Sequence, residues 1–255
     1  MKRLAISLVL YNNDAEEIGK LLHSIQHSTL QADLFVVDNS PRNQASLFRG
    51  QPRVQYFHSG KNIGYGSGHN RIMQRTVTSY EYHLVVNPDI YFDRDVLQRI
   101  AEFLDSSPDV GHLMPKILFP DGRIQYLRKN LPRPWHLAAR RILPKRLAEP
   151  WNYRYEMRYA DYHQIMEAPF LSGCFMFFRT SALRRVGIFD QRYFLYFEDL
   201  DLTRRIGEHF RCMYYPEVAV FHNHKNENQK NLALLFHLIK SGVQYFNRYG
   251  WRPLW

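Results

Sequence analysis

The first forty residues alternate between a buried-strand pattern and a helix pattern, and this alternation limits the possible folds more than any other feature. Leu4–Tyr11 is a continuous apolar run, typical of a strand buried on both faces of a parallel sheet. A second such run, Ala32–Val37, follows. The segment between them has apolar residues at amphipathic helical spacing, namely Ile18, Leu21, Leu22 and Ile25. Strand, helix and strand in so few residues predict a right-handed βαβ unit and an α/β fold.

The ends of the predicted strands carry polar residues that could meet at one edge of the sheet. Ligands bind beyond the carboxyl ends of parallel strands, so we expect Tyr11 and Asp38 to lie side by side there. A third strand, Val54–His58, and a fourth, His83–Val86, continue the pattern. The fourth leads directly into Asn87-Pro88-Asp89, which could hold a divalent cation against a diphosphate. The same tripeptide is also favourable turn chemistry without any ligand.

A glycine-rich stretch, Gly60–Asn70 or "GKNIGYGSGHN", separates the third and fourth strands and precedes a helix predicted to begin near Gly68 or His69. Glycine permits positive φ and a close approach of ligand to backbone, and a helix N-terminus favours phosphate. The stretch matches neither the Walker nor the dinucleotide-binding pattern. A phosphate loop and a plain turn therefore both remain open.

The segment Phe189–Asp201, "FDQRYFLYFEDLD", places carboxylates after a dense run of aromatic residues, at the start of a predicted helix. A carboxylate beside apolar walls can be a positioned base or a metal ligand. Helix capping would explain these acids equally well. The last predicted strand ends at His222 and His224, and a histidine returning to the edge that carries Asp89 would be a further metal ligand.

The net charge limits the classes of binding partner but does not identify one. The 255 residues carry a formal charge of +10, from 34 basic and 24 acidic residues, which favours nucleotide phosphates, an anionic membrane surface or nucleic acid. No nucleic-acid-binding signature is present, so we predict no nucleic-acid partner. Cys174 and Cys212 lie in apolar surroundings and are predicted to be buried free thiols. No signal-peptide pattern or bilayer-spanning apolar stretch occurs, which predicts a cytoplasmic protein.

Two regions have the composition of a surface that meets an anionic bilayer. Between Arg128 and Arg158 the patterning weakens, and basic residues recur among prolines and aromatics. A solvated face and a membrane or substrate contact are both compatible with it. Leu232–Tyr249 is predicted to be a helix, ending among aromatic and basic residues as at a membrane interface, or docked on the protein's own core. One side of it carries Leu235, Leu238, Ile239, Gly242 and Phe246.

The order of these motifs resembles that of family 2 glycosyltransferases of the GT-A fold, most closely bacterial rhamnosyltransferases that build cell-surface polysaccharide. The resemblance rests on "SLVLYNN", "VVDNS", "NIGYGSGHN", "NPDIYF", "SGCFMFFRTSALRRVGIFDQRYFLYFEDLDLTRRI" and "AVFHNH". It implies a Rossmann-like mixed α/β sheet flanked by helices over residues 1–230. Residues 1–110 would bind the nucleotide sugar, and 111–230, with a basic insertion at 128–160, would bind the acceptor and carry the catalytic residues. A C-terminal amphipathic helix in 231–255 would be a membrane-interface element.

The resemblance also implies a donor-binding set, which comprises Tyr11, Asp38, Asn62, Gly64, Asn70 and Asn87. Tyr11 and Asp38 would hold the nucleotide base and ribose, and the loop residues would lie beside the base and phosphates. Asn87 stands where the family has the first aspartate of its D-x-D metal motif, an exchange that weakens the cation site.

The implied reaction is inverting transfer of L-rhamnose from dTDP-L-rhamnose to a lipid-diphosphate-linked saccharide at the inner face of the cytoplasmic membrane. Asp199 matches the family's general base, with Glu198 and Asp201 positioning the acceptor. Asp89 and His222 would bind Mg²⁺ or Mn²⁺ that bridges the diphosphate. The alternatives are another donor, with galactofuranose, glucose or N-acetylhexosamine as its sugar, or an inactive nucleotide- or glycan-binding module.

Overall fold

The computed structural model describes residues 2–135, 137, 143–223 and 232–251. Within these residues, helices flank a nine-stranded mixed sheet, as the sequence predicts. The strands are β1 Lys2–Leu10, β2 Asp33–Asp38, β3 Val54–His58, β4 Tyr80–Val86, β5 Ile90–Phe92, β6 Val110–Leu118, β7 Arg128–Lys129, β8 Met166–Glu167, β9 Phe170–Leu171, β10 Phe175–Arg179 and β11 Arg211–His222. The helices are α1 Ala15–Gln26, α2 Tyr65–Thr76, α3 Val96–Ser106, α4 Lys145–Tyr155, α5 Thr180–Val186, α6 Glu198–Gly207 and α7 Leu232–Tyr249, with a short 3₁₀ helix at Ala45–Phe48.

The strand order is β3-β2-β1-β4-β10-β6-β11-β5, with β8 also paired to β11, and β7 and β9 form a separate ribbon. Strands β1 to β4 run parallel, and β10 lies antiparallel between β4 and β6. The register sets Phe175, at the start of β10, opposite Val86, at the end of β4. The residues just before β10 therefore reach the same sheet edge as the residues just after β4.

The N-terminal βαβ unit is confirmed. Strands β1 and β2 are parallel neighbours, and Asp14 caps α1 by accepting a hydrogen bond from the Glu16 amide at 2.8 Å. Strand β3 and helix α7 have the bounds that the sequence predicts. Cys174 and Cys212 are buried and free, as expected. The apolar stretch "FLSGCFMFFR" predicts one buried strand ending at Arg179. This prediction is wrong, because β9 ends at Leu171 and β10 begins at Phe175.

The predicted start of α2 is wrong, because the helix begins at Tyr65 and its glycines serve close packing. Gly64, the N-cap residue, has φ +88°, and a Cβ there would lie 2.5 Å from the Phe194 carbonyl oxygen. Inside the first turn, a Cβ on Gly68 would lie 2.7 Å from a methyl of Val9. These glycines let α2 approach its neighbours closely. The glycine-rich stretch is therefore partly loop and partly the first turn of the helix.

The basic segment is not only a solvated face. The guanidinium carbon of Arg128 lies 3.7 Å from the ring centre of Tyr162 and 4.9 Å from that of Tyr214. Its nitrogens donate to the carbonyl oxygens of Ala160 (2.7 Å) and Asp161 (3.2 Å). Arg128 is fully buried, so the solvated interpretation is wrong for this residue. Arg140 and Arg141 lie outside the described residues.

Helix α7 docks on the protein's own core. Tyr245 and Phe246 are buried in a cluster with Phe197 and Leu200, so the docking alternative is confirmed. Ile239, expected on the core side, is 57% exposed, because the buried face is rotated toward Ser241, Gly242, Tyr245 and Phe246. Among the described residues, no helix combines the length and apolar character needed to cross a bilayer.

We expect Gly68→Ala to destabilise the protein by about 1–3 kcal/mol, because the new methyl group meets a stiff valine side chain on β1 and overpacks the contact. Urea unfolding measures this change. Gly19→Ala is the matched control: Gly19 is also helical, has nothing within 4 Å of its Cβ position, and should gain up to about 1 kcal/mol. Equal effects of the two substitutions would contradict the packing role of Gly68.

Candidate active site

Asp199 is held at the first turn of α6 by backbone hydrogen bonds. Its Oδ2 accepts from the Gly173 amide at 2.8 Å, and its Oδ1 accepts from the Leu200 amide at 2.8 Å. Burial raises the pKa of Asp199, while these two hydrogen bonds and the charge of Lys129 act in the opposite direction. The carboxylate is thus fixed in orientation and has a raised proton affinity, as a general base requires.

Glu198, the preceding residue, occupies a more apolar environment. It is 4% exposed, and among the described residues its buried Oε2 has no hydrogen-bond partner. Burial, followed by the negative charge of Asp199, raises the pKa of Glu198 well above its ordinary value. The neutral acid is therefore favoured. Two adjacent carboxyl groups differ in protonation because their surroundings differ.

The backbone that leads into this pair is strained. Tyr196 and Phe197 both have left-handed conformations, with φ 68° and 69°, which non-glycine residues adopt rarely. The Phe197 ring packs 5.4 Å from the ring of Tyr245 on α7, and Ser241 of α7 donates to the Leu195 carbonyl oxygen at 2.9 Å. Helix α7 therefore holds the turn that presents Glu198 and Asp199.

Tyr65 links the glycine-rich motif to the other two parts of the site. Its hydroxyl lies 2.7 Å from the Gly173 carbonyl oxygen and 3.2 Å from Asn87 Oδ1. The backbone N–H of Asn87 donates to the Cys174 carbonyl oxygen at 2.9 Å. Neither Tyr65 nor Gly173 is predicted to have a role from the sequence. Their signal was their place inside the quoted motifs "NIGYGSGHN" and "SGCFMFF".

Asp89 and His222 come together as predicted. Ile90 on β5 pairs with His222 on β11, and Asp89 Oδ2 lies 3.3 Å from His222 Nε2. Two ligands at about 2.1 Å from an octahedral cation lie roughly 3.0 Å apart, so this carboxylate and imidazole fit one divalent ion. Among the described residues, no group of three or more histidine, cysteine or acidic side chains could hold a metal. His224 is outside the described residues.

Tyr11 and Asp38 reach neighbouring positions at the sheet edge but differ in accessibility. Tyr11 is 49% exposed, whereas Asp38 is fully buried. Asp38 Oδ1 accepts from the Ser40 amide at 2.8 Å, and Oδ2 accepts from the Gln44 amide at 2.9 Å and from the Tyr56 hydroxyl. Burial alone would raise the pKa of Asp38, but these hydrogen bonds outweigh it and lower the pKa. Asp38 braces the loop after β2, and its contact with a donor stays a prediction.

Asn62 and Asn70 shape the region around α2. Asn62 Oδ1 accepts from the Gly64 amide at 2.9 Å. Asn70 exchanges two hydrogen bonds with the backbone of Phe189, at 2.7 and 3.1 Å. Contact of these side chains, of Gly64 and of Asn87 with a donor stays a prediction.

Asp201 makes contacts that its predicted acceptor-positioning role did not anticipate. Its oxygens accept from Arg205 (2.8 Å), Arg248 (3.1 Å) and the Tyr249 hydroxyl (2.9 Å), and its side chain is fully buried. These contacts tie α6 to α7. The acceptor-positioning role stays a prediction.

Comparison with known proteins gives this site its context. The family model for Glycosyl transferase family 2 matches residues 6–187. The chain is 28% identical over 217 residues to the N-acetylglucosaminyl-diphospho-decaprenol L-rhamnosyltransferase of Mycobacterium tuberculosis, covering 81% of this chain and 69% of that protein. It is 26% identical over 254 residues to rhamnosyltransferase WbbL of Escherichia coli, covering 94% of this chain and 92% of WbbL.

A solved structure with a similar fold is the mannosyltransferase PcManGT from Pyrobaculum calidifontis in complex with GDP-Man and Mn²⁺. The TM-score is 0.63 at 17% identity, and the match covers 97% of this chain and 64% of PcManGT. This similarity concerns the fold, whereas the family model covers more than half of the sequence. The chain therefore belongs to glycosyl transferase family 2 and is a glycosyltransferase of the GT-A fold.

Proposed function

We propose that this glycosyltransferase transfers L-rhamnose from dTDP-L-rhamnose to a lipid-diphosphate-linked saccharide in the assembly of a cell-surface polysaccharide such as O-antigen. The observation that carries the reaction type is the Asp199 carboxylate, oriented by Gly173 beside the Asn87 turn. The sugar is supported by two relatives that are named rhamnosyltransferases. The acceptor class is supported by the name of the mycobacterial relative, which specifies a diphospho-decaprenol.

The proposed reaction is a single displacement with inversion. An acceptor hydroxyl attacks the anomeric carbon from the face opposite the nucleotide diphosphate, and Asp199 accepts the hydroxyl proton, a contribution of order 10²- to 10⁴-fold. The hydrogen bonds from Gly173 and Leu200 hold the carboxylate in one orientation. Glu198, as the neutral acid, would donate a hydrogen bond that positions the acceptor.

Asp89 and His222 would hold Mg²⁺ or Mn²⁺. When bound, the cation supplies positive charge that stabilises the departing diphosphate. The N-terminus of α2 adds a partial positive charge on the same side, because Tyr65 in its first turn contacts Asn87. Together these groups compensate for asparagine at position 87, where the resemblance implies an aspartate.

The lipid-linked acceptor would place the protein at the inner face of the cytoplasmic membrane. Helix α7 has an exposed apolar row, here called the outer stripe, which consists of Leu232, Phe236, Ile239 and Val243. Its spacing of four, three and four residues keeps it on one side of the helix. The adjacent residues Leu131 and Leu137 pack on the same cluster as α7. They belong to the segment 128–158, which has nine basic and two acidic residues. Of the basic residues, Arg128 is buried and Arg158 is paired with the two acidic residues Glu149 and Glu156. An apolar stripe beside a basic segment suits an anionic bilayer.

Asp199→Asn should reduce turnover by about 10²- to 10⁴-fold and leave donor binding unchanged, because the amide keeps the shape of the side chain but accepts no proton. Turnover is measured with dTDP-L-rhamnose. Binding is measured as a thermal shift with that donor and with UDP-sugars, with and without Mn²⁺. A ligand at 100 times its Kd stabilises by about 2.7 kcal/mol.

Glu208→Gln, an exposed position at the end of the same helix, is the control and should leave turnover unchanged. Full turnover by Asp199→Asn would remove this residue as the base. Stabilisation by UDP-sugars alone would overturn the rhamnose donor and leave the mechanism intact. No stabilisation by any nucleotide sugar would favour an inactive binding module.

Glu198→Gln should make stability less dependent on pH. The pKa of Glu198 is raised in the folded protein, so this group disfavours folding progressively as pH rises above its unfolded pKa of about 4.3. Glutamine removes that loss, and the Tm difference between variant and wild type should grow in favour of the variant from pH 4.5 to pH 8.5. Glu208→Gln should show no such trend. A Tm difference that is constant with pH would contradict the buried neutral acid.

Replacing Phe236 and Ile239 together by serine should weaken binding to anionic vesicles at least tenfold, because partial burial of two such side chains is worth more than about 1.4 kcal/mol. Vesicle co-sedimentation measures the partition coefficient. The matched control is Ile165→Ser, an exposed isoleucine before β8, which should leave binding unchanged. Equal vesicle binding of the double variant and wild type would contradict a bilayer-facing stripe.

A further inference from the structure

Gln125 lies behind His222 with its amide orientation fixed by two carbonyl groups. Its side chain is buried in the segment between β6 and β7, and the residue is 6% exposed. Its Nε2 donates to the carbonyl oxygen of His222 at 2.7 Å and lies 3.4 Å from that of Leu118. Carbonyl oxygens only accept hydrogen bonds, so the NH₂ end of the amide must face them. The oxygen end therefore points the other way.

This orientation determines where the imidazole of His222 carries its proton. Gln125 Oε1 lies 2.9 Å from His222 Nδ1. An amide oxygen has no proton to donate, so Nδ1 must be the N–H that donates to it. A neutral imidazole protonated at Nδ1 has a lone pair at Nε2. That nitrogen is the one 3.3 Å from Asp89 Oδ2.

Asp89 competes for the same proton. A carboxylate beside Nε2 favours the other tautomer, in which Nε2–H donates to Asp89 and neither group is ready to ligate a cation. The hydrogen bond from Nδ1–H to Gln125 opposes that tautomer. The His222 tautomer therefore depends on which acceptor binds its proton. If Gln125 Oε1 does, His222 and Asp89 can ligate a cation together; if the Asp89 carboxylate does, the two residues form only a hydrogen bond with each other.

We propose that Gln125 is a positioning residue for the cation site: it fixes His222 in the tautomer whose Nε2 ligates a divalent cation together with Asp89. The proposal rests on the cation of the proposed function and adds the residue that makes its histidine a ligand. Partners that orient a metal-bound histidine through its second nitrogen typically change metal affinity 10- to 100-fold when removed. Gln125 occupies that position here.

Two substitutions separate this role from simple bracing. Gln125→Met removes every side-chain hydrogen bond. Gln125→Glu loses the NH₂ group that donates to the His222 carbonyl but keeps an acceptor facing Nδ1. Both variants lose the bracing contact, so both should lower Tm. Only the methionine variant loses the group that sets the tautomer.

The experiment measures Mn²⁺ affinity of the full chain by electron paramagnetic resonance with dTDP present, and the His222 tautomer by long-range ¹H–¹⁵N correlation. The His222 signal is assigned by its absence from His222→Gln. We expect wild type to show the Nδ1–H form, and Gln125→Met to shift toward Nε2–H and bind Mn²⁺ at least tenfold more weakly. Gln125→Glu should keep the wild-type tautomer and bind within about threefold of wild type or more tightly.

Two results overturn the proposal alone: an Nε2–H imidazole in the wild-type chain that still binds Mn²⁺, or equal Mn²⁺ affinity of Gln125→Met and wild type. Both can be read without any assay of transfer. A wild-type chain that binds no Mn²⁺ with dTDP present would instead overturn the cation of the proposed function and, with it, this role of Gln125. The tautomer measurement on wild type needs no folded variant of Gln125.

Discussion

The packing of Phe197 against helix α7 supports the rest of the site. Two consecutive non-glycine residues with positive φ, Tyr196 and Phe197, cost about 1–3 kcal/mol each and persist only where their surroundings fix them. Tyr245 and Phe246 pack around the Phe197 ring, and the buried carboxylate of Asp201 joins α6 to α7 through an ion pair with Arg248. The strained turn is what brings the acidic residues to the start of α6. Helix α7 therefore supports the candidate active site and also carries the outer stripe.

The antiparallel strand β10 connects that turn to the proposed cation site. Because β10 runs against β4, the residues that precede it meet those that follow β4, and Gly173 comes to lie between Asp199 and Tyr65. The Gly173 N–H donates to the Asp199 carboxylate, and the Gly173 carbonyl oxygen accepts from the Tyr65 hydroxyl. A Cβ on Gly173 would lie 3.1 Å from Asp199 Cβ, which explains a residue without a side chain at this point.

The parallel half of the fold could be predicted from the sequence because its signals are local. Continuous apolar runs predict the parallel strands, and helical spacing of apolar residues predicts α1 and the bounds of α7. The break between β9 and β10 lies at Ser172-Gly173, the one polar and glycine interruption of "FLSGCFMFF". The hydrogen bond that holds Gly173 there is accepted by Asp199, 26 residues later, which local sequence does not reveal. The start of α2 was predicted wrongly for the same reason, because Gly64 and Gly68 are required by close contacts with Phe194 and Val9, which are distant in sequence. Gln125 carried no signal, because its role depends on His222, 97 residues away.

The choice among carboxylates follows from how many hydrogen bonds each receives. Asp38 lies at the end of a strand, and Glu198 and Asp199 lie at the start of a helix. Their local sequence does not distinguish their protonation. Asp38 accepts from three groups and its pKa is lowered, so it is a poor base. Glu198 has a buried oxygen with no partner in the described chain and its pKa is raised well above normal, so it keeps its proton. Asp199 accepts from two amides, and burial raises its pKa while these hydrogen bonds act in the opposite direction. Of these three carboxyl groups, Asp199 combines a raised pKa with hydrogen bonds that stabilise its ionised form, which supports it as the proposed base.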